Sequence, residues 1–395
     1  MHCLHIVPTY WPAMRYGGTV AAVHGLCKAL AGRGHRVTVL TSNADGERTL
    51  DVPLDSPVDV DGVDVRYFPL ALYRPCYAPA MGKAIAGHVR DADVVHLHSV
   101  FLWPTWAGAR AARRACVPYV LSPRGMLVDH LIRRKSRWLK SAWLRVCGRD
   151  VLRHAAAIHV TSELERETLA AAGCGLSDIR VIENGVDPIA APVDDAQALR
   201  GMGLPVDRPF VLYLGRISWK KGLDRLVLAM RHVGSAQLIV VGNDDESHWP
   251  HIQTLIEQER MQNRVRYCGP VYDDRKWALL RAAACLVLPS YSENFGNTVL
   301  EAMGAACPVV VTPEVGAAHL VRNAEAGFVV DGDPEALGRA ISRFVEDGAL
   351  RARMGDAGAR AVRERHGWPQ RADEMLSLYE DVMRRAREQA RGVAA

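Results

Sequence analysis

An α/β fold built twice, as two doubly wound parallel sheets, is predicted by three observations. A strand–loop–helix–strand unit opens the chain, and a second begins near residue 210. The apolar runs Asp93–Leu97, Tyr119–Leu121, Ala157–Val160 and Pro308–Thr312 are nearly continuous, as expected of parallel strands buried on both faces. Finally, 395 residues exceed what one ordinary core encloses, which favours two domains.

In the first unit, Leu4–Val7 reads as a short strand followed by a loop carrying Tyr16-Gly17-Gly18. A helix is expected from about Thr19 to Ala31, with apolar positions at Val20, Val23, Leu26, Cys27 and Leu30 on one face. Gly32 and Gly34 end it, and Arg36–Thr41 is the next strand. In the second unit, Phe210–Leu214 leads into Gly215-Arg216-Ile217-Ser218-Trp219-Lys220-Lys221-Gly222. A helix to about Val233 and a strand at Gln237–Val241 follow. Residues 188–209 are rich in Pro, Ala, Asp and Gly and carry no period, so the linker is placed there. The expected division is a Rossmann-like domain over 1–190 and a second over 191–368, facing each other across a cleft. A long charged amphipathic helix is expected over about 369–392.

Composition narrows the class. Hydrophobic residues make up 49% and charged residues 24%, as in a globular protein, and no apolar run approaches a membrane span. The N-terminus lacks a basic region and a long apolar stretch, so it is not read as a signal peptide. The nine cysteines have no paired or metal-ligand spacing and are expected to be reduced and buried, in a cytoplasmic setting. A net charge of +5 makes no case for nucleic acid.

The most informative stretch is Leu286 to Gly304. A buried strand from Cys285 to Leu288 is broken at Pro289-Ser290, and a Gly-containing loop then opens a helix. Glu293 lies in that loop and Glu301 lies inside the helix. The first-turn N–H groups of a helix lack internal partners and sit at its positive end, so they bind anions. A carboxylate further along can accept from sugar hydroxyls. Arg216 and Lys221, five residues apart in a Gly-flanked loop after a strand, suit a diphosphate: one is a bidentate fork, the other a point charge. Gly17 and Gly18 let backbone approach a phosphate, although no dinucleotide fingerprint is present.

Together, the Glu293–Glu301 segment, the Gly215-Arg216 to Lys221-Gly222 loop, Gly17-Gly18 and Glu183-Asn184-Gly185-Val186-Asp187 resemble family 4 of the retaining GT-B glycosyltransferases, in the family's order and across the chain. By this resemblance, Glu301 holds the ribose of a nucleotide diphosphate sugar, and Arg216 and Lys221 neutralise its diphosphate. Glu293 and the backbone from Asn294 through Phe295 and Gly296 to Asn297 contact donor sugar and phosphate, and Gly18 backs the diphosphate. The base lies near the turn containing Gly269. By the same resemblance, 1–190 is the acceptor side and 191–368 the donor side, and in the proteins this chain resembles a helix like that over about 369–392 crosses back to the first domain. The implied reaction moves a hexose from a UDP- or GDP-sugar to a saccharide or polyprenyl-linked acceptor in bacterial polysaccharide biosynthesis, without metal or other cofactor. Many members carry a His where this chain reads Ser122-Pro123-Arg124-Gly125-Met126, so Arg124 takes its place. Arg cannot serve as a base, but it can bind a phosphate or a carboxylated sugar, on donor or acceptor.

Of His96 and His98, one is expected to face the core and the other the acceptor side. Asp331-Gly332-Asp333 looks like a metal motif, but Asp333-Pro334-Glu335 reads as a helix start. Asp59-Val60-Asp61 and Asp91-Ala92-Asp93 lie before strands, the wrong end for metal binding. Residues 132–153 interleave basic residues with Trp138 and Trp143. They read equally as a helix packed on the sheet or as one lying on an anionic membrane at its inner face. Two rivals remain open: a nucleotide-sugar epimerase of the same fold, and a non-catalytic subunit that binds glycan or lipid.

Overall fold

The computed structural model describes residues 1–46, 48–127, 148–171, 178–189, 194–204, 206, 208–244 and 246–394. It contains two compact units. Met1–Gly185 and Trp368–Ala395 form the first, and Val186–Gly367 forms the second.

The first unit holds β1 (His2–Thr9), β2 (Arg36–Ser42), a two-residue ladder of β3 (Ala44–Asp45) and β4 (Arg48–Thr49), β5 (Pro57–Val60), β6 (Val63–Phe68), β7 (Val94–His98), β8 (Tyr119–Ser122), β9 (Ala157–Val160) and β10 (Ile179–Val181). Its eight-stranded sheet runs β10-β9-β8-β7-β1-β2-β6-β5. Every pairing in that sheet is parallel except β5 with β6. This antiparallel edge departs from the all-parallel expectation, and its cause is local. Val60 pairs with Val63 around Asp61-Gly62, both with positive φ, which is the two-residue hairpin turn that an Asp-Gly dipeptide favours. Asp59 therefore lies inside a strand rather than before one. Asp61 accepts from His24 and pairs with Lys28, a structural role.

Apolar layers cover both faces of this sheet. On one, the C-terminal helix Trp368–Ala394 buries Trp368, Ala372, Met375, Tyr379 and Val382, a helical spacing that makes one continuous stripe. At its start Trp368 presses on Gly25, where a Cβ would fall 2.2 Å from the indole, so only glycine fits. Arg371 pairs with Glu183 at 3.3 Å, and Arg385 pairs with Asp178 at 2.6 Å.

The second unit holds β11 (Val211–Leu214), β12 (Leu238–Val241), β13 (Val265–Tyr267), β14 (Cys285–Leu288), β15 (Val309–Val311) and β16 (Gly327–Val329). All are parallel, in the order β13-β12-β11-β14-β15-β16. The order reverses direction between β11 and β14, the point where open α/β sheets bind ligands beyond their carboxyl ends. The loops after those two strands carry Arg216, Lys221 and Glu293.

Of the cysteines described, Cys116 is exposed and Cys268 half-buried, against the expectation that all are buried. Asp333 caps the helix Pro334–Glu346, accepting from the Ala336 N–H at 2.9 Å, which accounts for the acidic pair there. The basic segment 132–153 falls mostly outside the described residues. Within it, Arg149–Arg153 is helical. Among the described residues, no helix is long and apolar enough to cross a membrane.

Candidate functional site

In the second unit, two loops are sewn together at the carboxyl ends of β11 and β14. The Lys220 carbonyl accepts from the N–H of Tyr291 at 2.7 Å and of Ser292 at 3.4 Å. Gly222 has φ +66°, and a Cβ there would lie 2.0 Å from the Pro289 carbonyl oxygen, so the crossing of the two backbones requires glycine. Arg225 stacks on the Tyr291 ring, 3.5 Å from its centroid, and the Tyr291 hydroxyl donates to Asp224 at 2.8 Å. Glu293 is held from behind: its N–H donates to the Glu314 carbonyl, and its own carbonyl accepts from the Gly316 N–H, both at 3.0 Å.

These backbone constraints bring the Lys221 ammonium into contact with the Glu293 carboxylate. Little of either side chain is exposed, 17% and 16%. Burial pushes the Lys221 amine down to about 7, and the positive charges of Arg216 and Lys220 push the same way. The Glu293 carboxylate acts against that shift by favouring the ammonium. Arg216 is exposed beside them, and its backbone carbonyl accepts from the Tyr213 hydroxyl at 2.9 Å. A lysine with so low a pKa is a charge that an arriving anion can restore.

The helix Asn297–Gly304 begins at Gly296, whose φ is +95°. Gly296 supplies no capping side chain, and no acidic residue stands in the first turn. That end of the helix is therefore electrostatically open to an anion. Asn294 and Asn297 are half-buried at its mouth. The Phe295 ring is buried in the hydrophobic core, so only its backbone can reach a ligand. Glu301 follows in the second turn, and its carboxylate accepts from Lys276 Nζ at 3.1 Å. Lys276 comes from the helix Asp273–Ala282 and also lies over the Trp277 ring at 4.2 Å. Sequence reasoning did not find Lys276, because nothing in its spacing ties it to a residue 25 positions away. Gly269 (φ +67°) accepts from the Gly242 N–H at 3.0 Å, closing the turn after β13.

The remaining predicted residues, Gly17, Gly18 and Arg124, belong to the first unit. Gly17 (φ +66°) precedes the helix Gly18–Gly32, again without a side-chain cap. Arg124 also has positive φ, +54°, and is half-buried. Its guanidinium donates to Asn184 Oδ1 at 3.1 Å and faces His98 Nδ1 at 3.5 Å. Burial disfavours the charged form of Arg124. His96 and His98 are both buried, so neither lines an open surface. The physical reason is strand periodicity: residues i and i+2 share one face, and the two imidazoles stack at 4.2 Å.

Residues 196–361 match the family described as "Glycosyl transferases group 1", and residues 17–185 match the "Glycosyl transferase 4-like domain". Over 405 positions the chain is 31% identical to the D-inositol 3-phosphate glycosyltransferase of Xylanimonas cellulosilytica, covering 93% of each. The chain belongs to the family 4 glycosyltransferases. It is also 26% identical to an uncharacterised glycosyltransferase of Methanocaldococcus jannaschii, covering 94% of this chain and 96% of that one. Among solved structures, it resembles the sucrose-phosphate synthase of Thermosynechococcus elongatus with a TM-score of 0.78 and 24% identity, over 97% and 99% of the two chains. It also resembles Anabaena HepE in complex with UDP-glucose, with a TM-score of 0.75 and 21% identity, over 96% and 100%. The fold of this glycosyltransferase is thus GT-B, built from two parallel-sheet units. Its charged loops at β11 and β14 fall inside the group 1 match, whereas Arg124 falls inside the 4-like match.

Proposed function

We propose that this glycosyltransferase moves a hexose from a UDP- or GDP-sugar to a saccharide or lipid-linked saccharide acceptor in bacterial polysaccharide biosynthesis. Anomeric configuration is retained, and no metal takes part. The carrying observation is the Lys221–Glu293 contact beside Arg216 and the uncapped helix at Gly296. Breaking the anomeric C–O bond leaves negative charge on the diphosphate. Lys221, Arg216 and the helix amides are preorganised to stabilise that charge, more in the transition state than in the ground state. Once the diphosphate takes over Lys221, the Glu293 carboxylate is freed to accept from hydroxyls of the donor sugar. Glu301, steadied by Lys276, accepts from the ribose hydroxyls. The departing phosphate takes the proton of the acceptor hydroxyl during same-face attack, so no second acid–base carboxylate is required. The UDP-glucose held by HepE, a protein of the same fold, supports a nucleotide donor. The basic, Trp-containing segment 132–153 suits contact with an anionic membrane at its inner face, which would bring the enzyme to a lipid-linked acceptor.

The test is calorimetric titration with UDP-, GDP- and ADP-sugars, with Glu301→Ala as control. Binding of none of them, or binding indifferent to Glu301→Ala, would sink the donor assignment. NMR of the product's anomeric proton reports retention, and turnover unchanged by a chelator reports metal independence.

A further inference from the structure

Arg124 sits among hydrogen-bond acceptors that carry no charge. Asn184 Oδ1 accepts from Nη1, and His98 Nδ1 faces Nη2. With a guanidinium N–H before it, His98 Nδ1 must hold its lone pair, so its proton is on Nε2, which donates to His5 Nδ1 at 3.0 Å. The His5 proton is then on Nε2, which is buried without a partner. A second chain is equally directional. His159 Nε2 donates to the Ile182 carbonyl at 2.9 Å, Ser122 donates to His159 Nδ1 at 2.7 Å, His96 Nε2 donates to Ser122 at 2.7 Å, and the Tyr379 hydroxyl donates to His96 Nδ1 at 2.6 Å. All four imidazoles are therefore neutral. The nearby carboxylate, Glu165, accepts from the Gly125 N–H at 2.6 Å and the Thr161 N–H at 3.0 Å, and also from the Thr161 hydroxyl at 3.4 Å.

No carboxylate forms a direct ion pair with the guanidinium among the described residues, Glu165 favouring its charge only from a distance, and its Nε is buried without a partner. A cation withdrawn from water without a direct counter-charge is left short of the pairing that would offset its desolvation. The surrounding backbone is also strained. Ser99 (φ +72°), Phe101 (φ +60°) and Arg124 itself (φ +54°) gather at the carboxyl ends of β7 and β8, where parallel sheets bind ligands.

We infer that Arg124 is the centre of an oxyanion site in the first unit, and that it receives a phosphate or carboxylate carried by the acceptor. The donor diphosphate already has Arg216, Lys221 and a helix N-terminus within the second unit, so its charges do not call on Arg124. Assignment to the acceptor rests on the glycosyltransferase reading above, whereas the existence of the anion site does not.

The experiment titrates the whole protein with inorganic phosphate, calorimetrically, in four forms: wild type, Arg124→Gln, Arg124→Lys and the double variant Arg216→Gln/Lys221→Gln. Two phosphate sites are expected in the wild type. Arg124→Gln should lose one, with affinity falling about tenfold or more, while Arg124→Lys keeps part of it. The double variant should keep the Arg124 site, and unchanged melting temperatures confirm that each form is folded. Phosphate stoichiometry and affinity unchanged in Arg124→Gln overturn the site. A second arm compares UDP-glucuronate with UDP-glucose. If Arg124→Gln weakens only UDP-glucuronate, the anion belongs to the donor sugar and the acceptor assignment is overturned. If neither nucleotide sugar binds even the wild type, the donor reading fails while phosphate at Arg124 can still be scored.

Discussion

Donor binding should take up a proton, and the Lys221 amine fixes where. The amine lies at about 7 in the free protein because it is buried beside Arg216 and Lys220. Below that pH it is already an ammonium, and a diphosphate binds without cost. Above it, the bound diphosphate must restore the proton. At pH 8.5, about 1.5 units higher, roughly 3% of the free protein carries the charge, so affinity should fall about 30-fold, or about 2 kcal/mol. Lys221→Arg, charged throughout, should bind with a flat profile. Glu293→Gln removes the carboxylate that favours the ammonium, and it should move the onset to lower pH. The assay is calorimetry between pH 6 and 9 in buffers of different ionisation enthalpy. A nucleotide sugar is the ligand, because its diphosphate diester does not titrate in that range. Uptake should approach one proton per site above pH 8. A dissociation constant that stays level from pH 6 to 9, with no proton uptake, would refute this account of Lys221.

Three further outcomes are expected. Glu301→Ala should weaken the nucleotide sugar about 10- to 100-fold, the loss of a charged acceptor, while Lys276→Ala should cost less than Glu301→Ala because it removes only the group steadying that carboxylate; isothermal titration of both variants decides. Tyr379→Phe deletes the donor to the buried His96 Nδ1 and should destabilise the protein by about 1–3 kcal/mol in urea unfolding, with no change in donor affinity. Acid should destabilise the first unit. His5 and His159 are pushed down to about 3 by burial, below the ordinary 6.5, so the unfolded chain binds protons first as pH falls. Their contribution is fully present above 6.5 and is lost between 6.5 and 3, reaching about 2 kcal/mol for each at pH 5. Unfolding midpoints that agree at pH 7.5 and pH 5 would contradict the neutral-imidazole network.

The parts of this protein legible from sequence are those whose causes are local. The runs at β7, β8, β9 and β14 announce buried parallel strands because burial on both faces leaves no polar alternation. The Gly-flanked loop from Gly215 to Gly222 and the break at Pro289-Ser290 mark the carboxyl ends where charged residues gather, since turn chemistry is written in a few adjacent residues. The Asp61-Gly62 hairpin was equally local, and its dipeptide was the available signal.

Tertiary structure alone decided the rest. Lys276 meets Glu301 and Tyr379 meets His96 across 25 and 283 residues, and no periodicity encodes a partner at that distance. Whether His98 faced solvent or core depended on which strands flank β7. The low pKa of Lys221 depends on burial produced by two loops crossing at Gly222 and Pro289. Arg124 lacks a direct ion pair among the described residues because the oxygens of its acidic neighbour, Glu165, turn to the N–H groups of Gly125 and Thr161. Sequence determined which residue types stand at the ends of the strands. Folding determined which of their charges are neutralised, because desolvation and pairing are properties of surroundings assembled from distant parts of the chain.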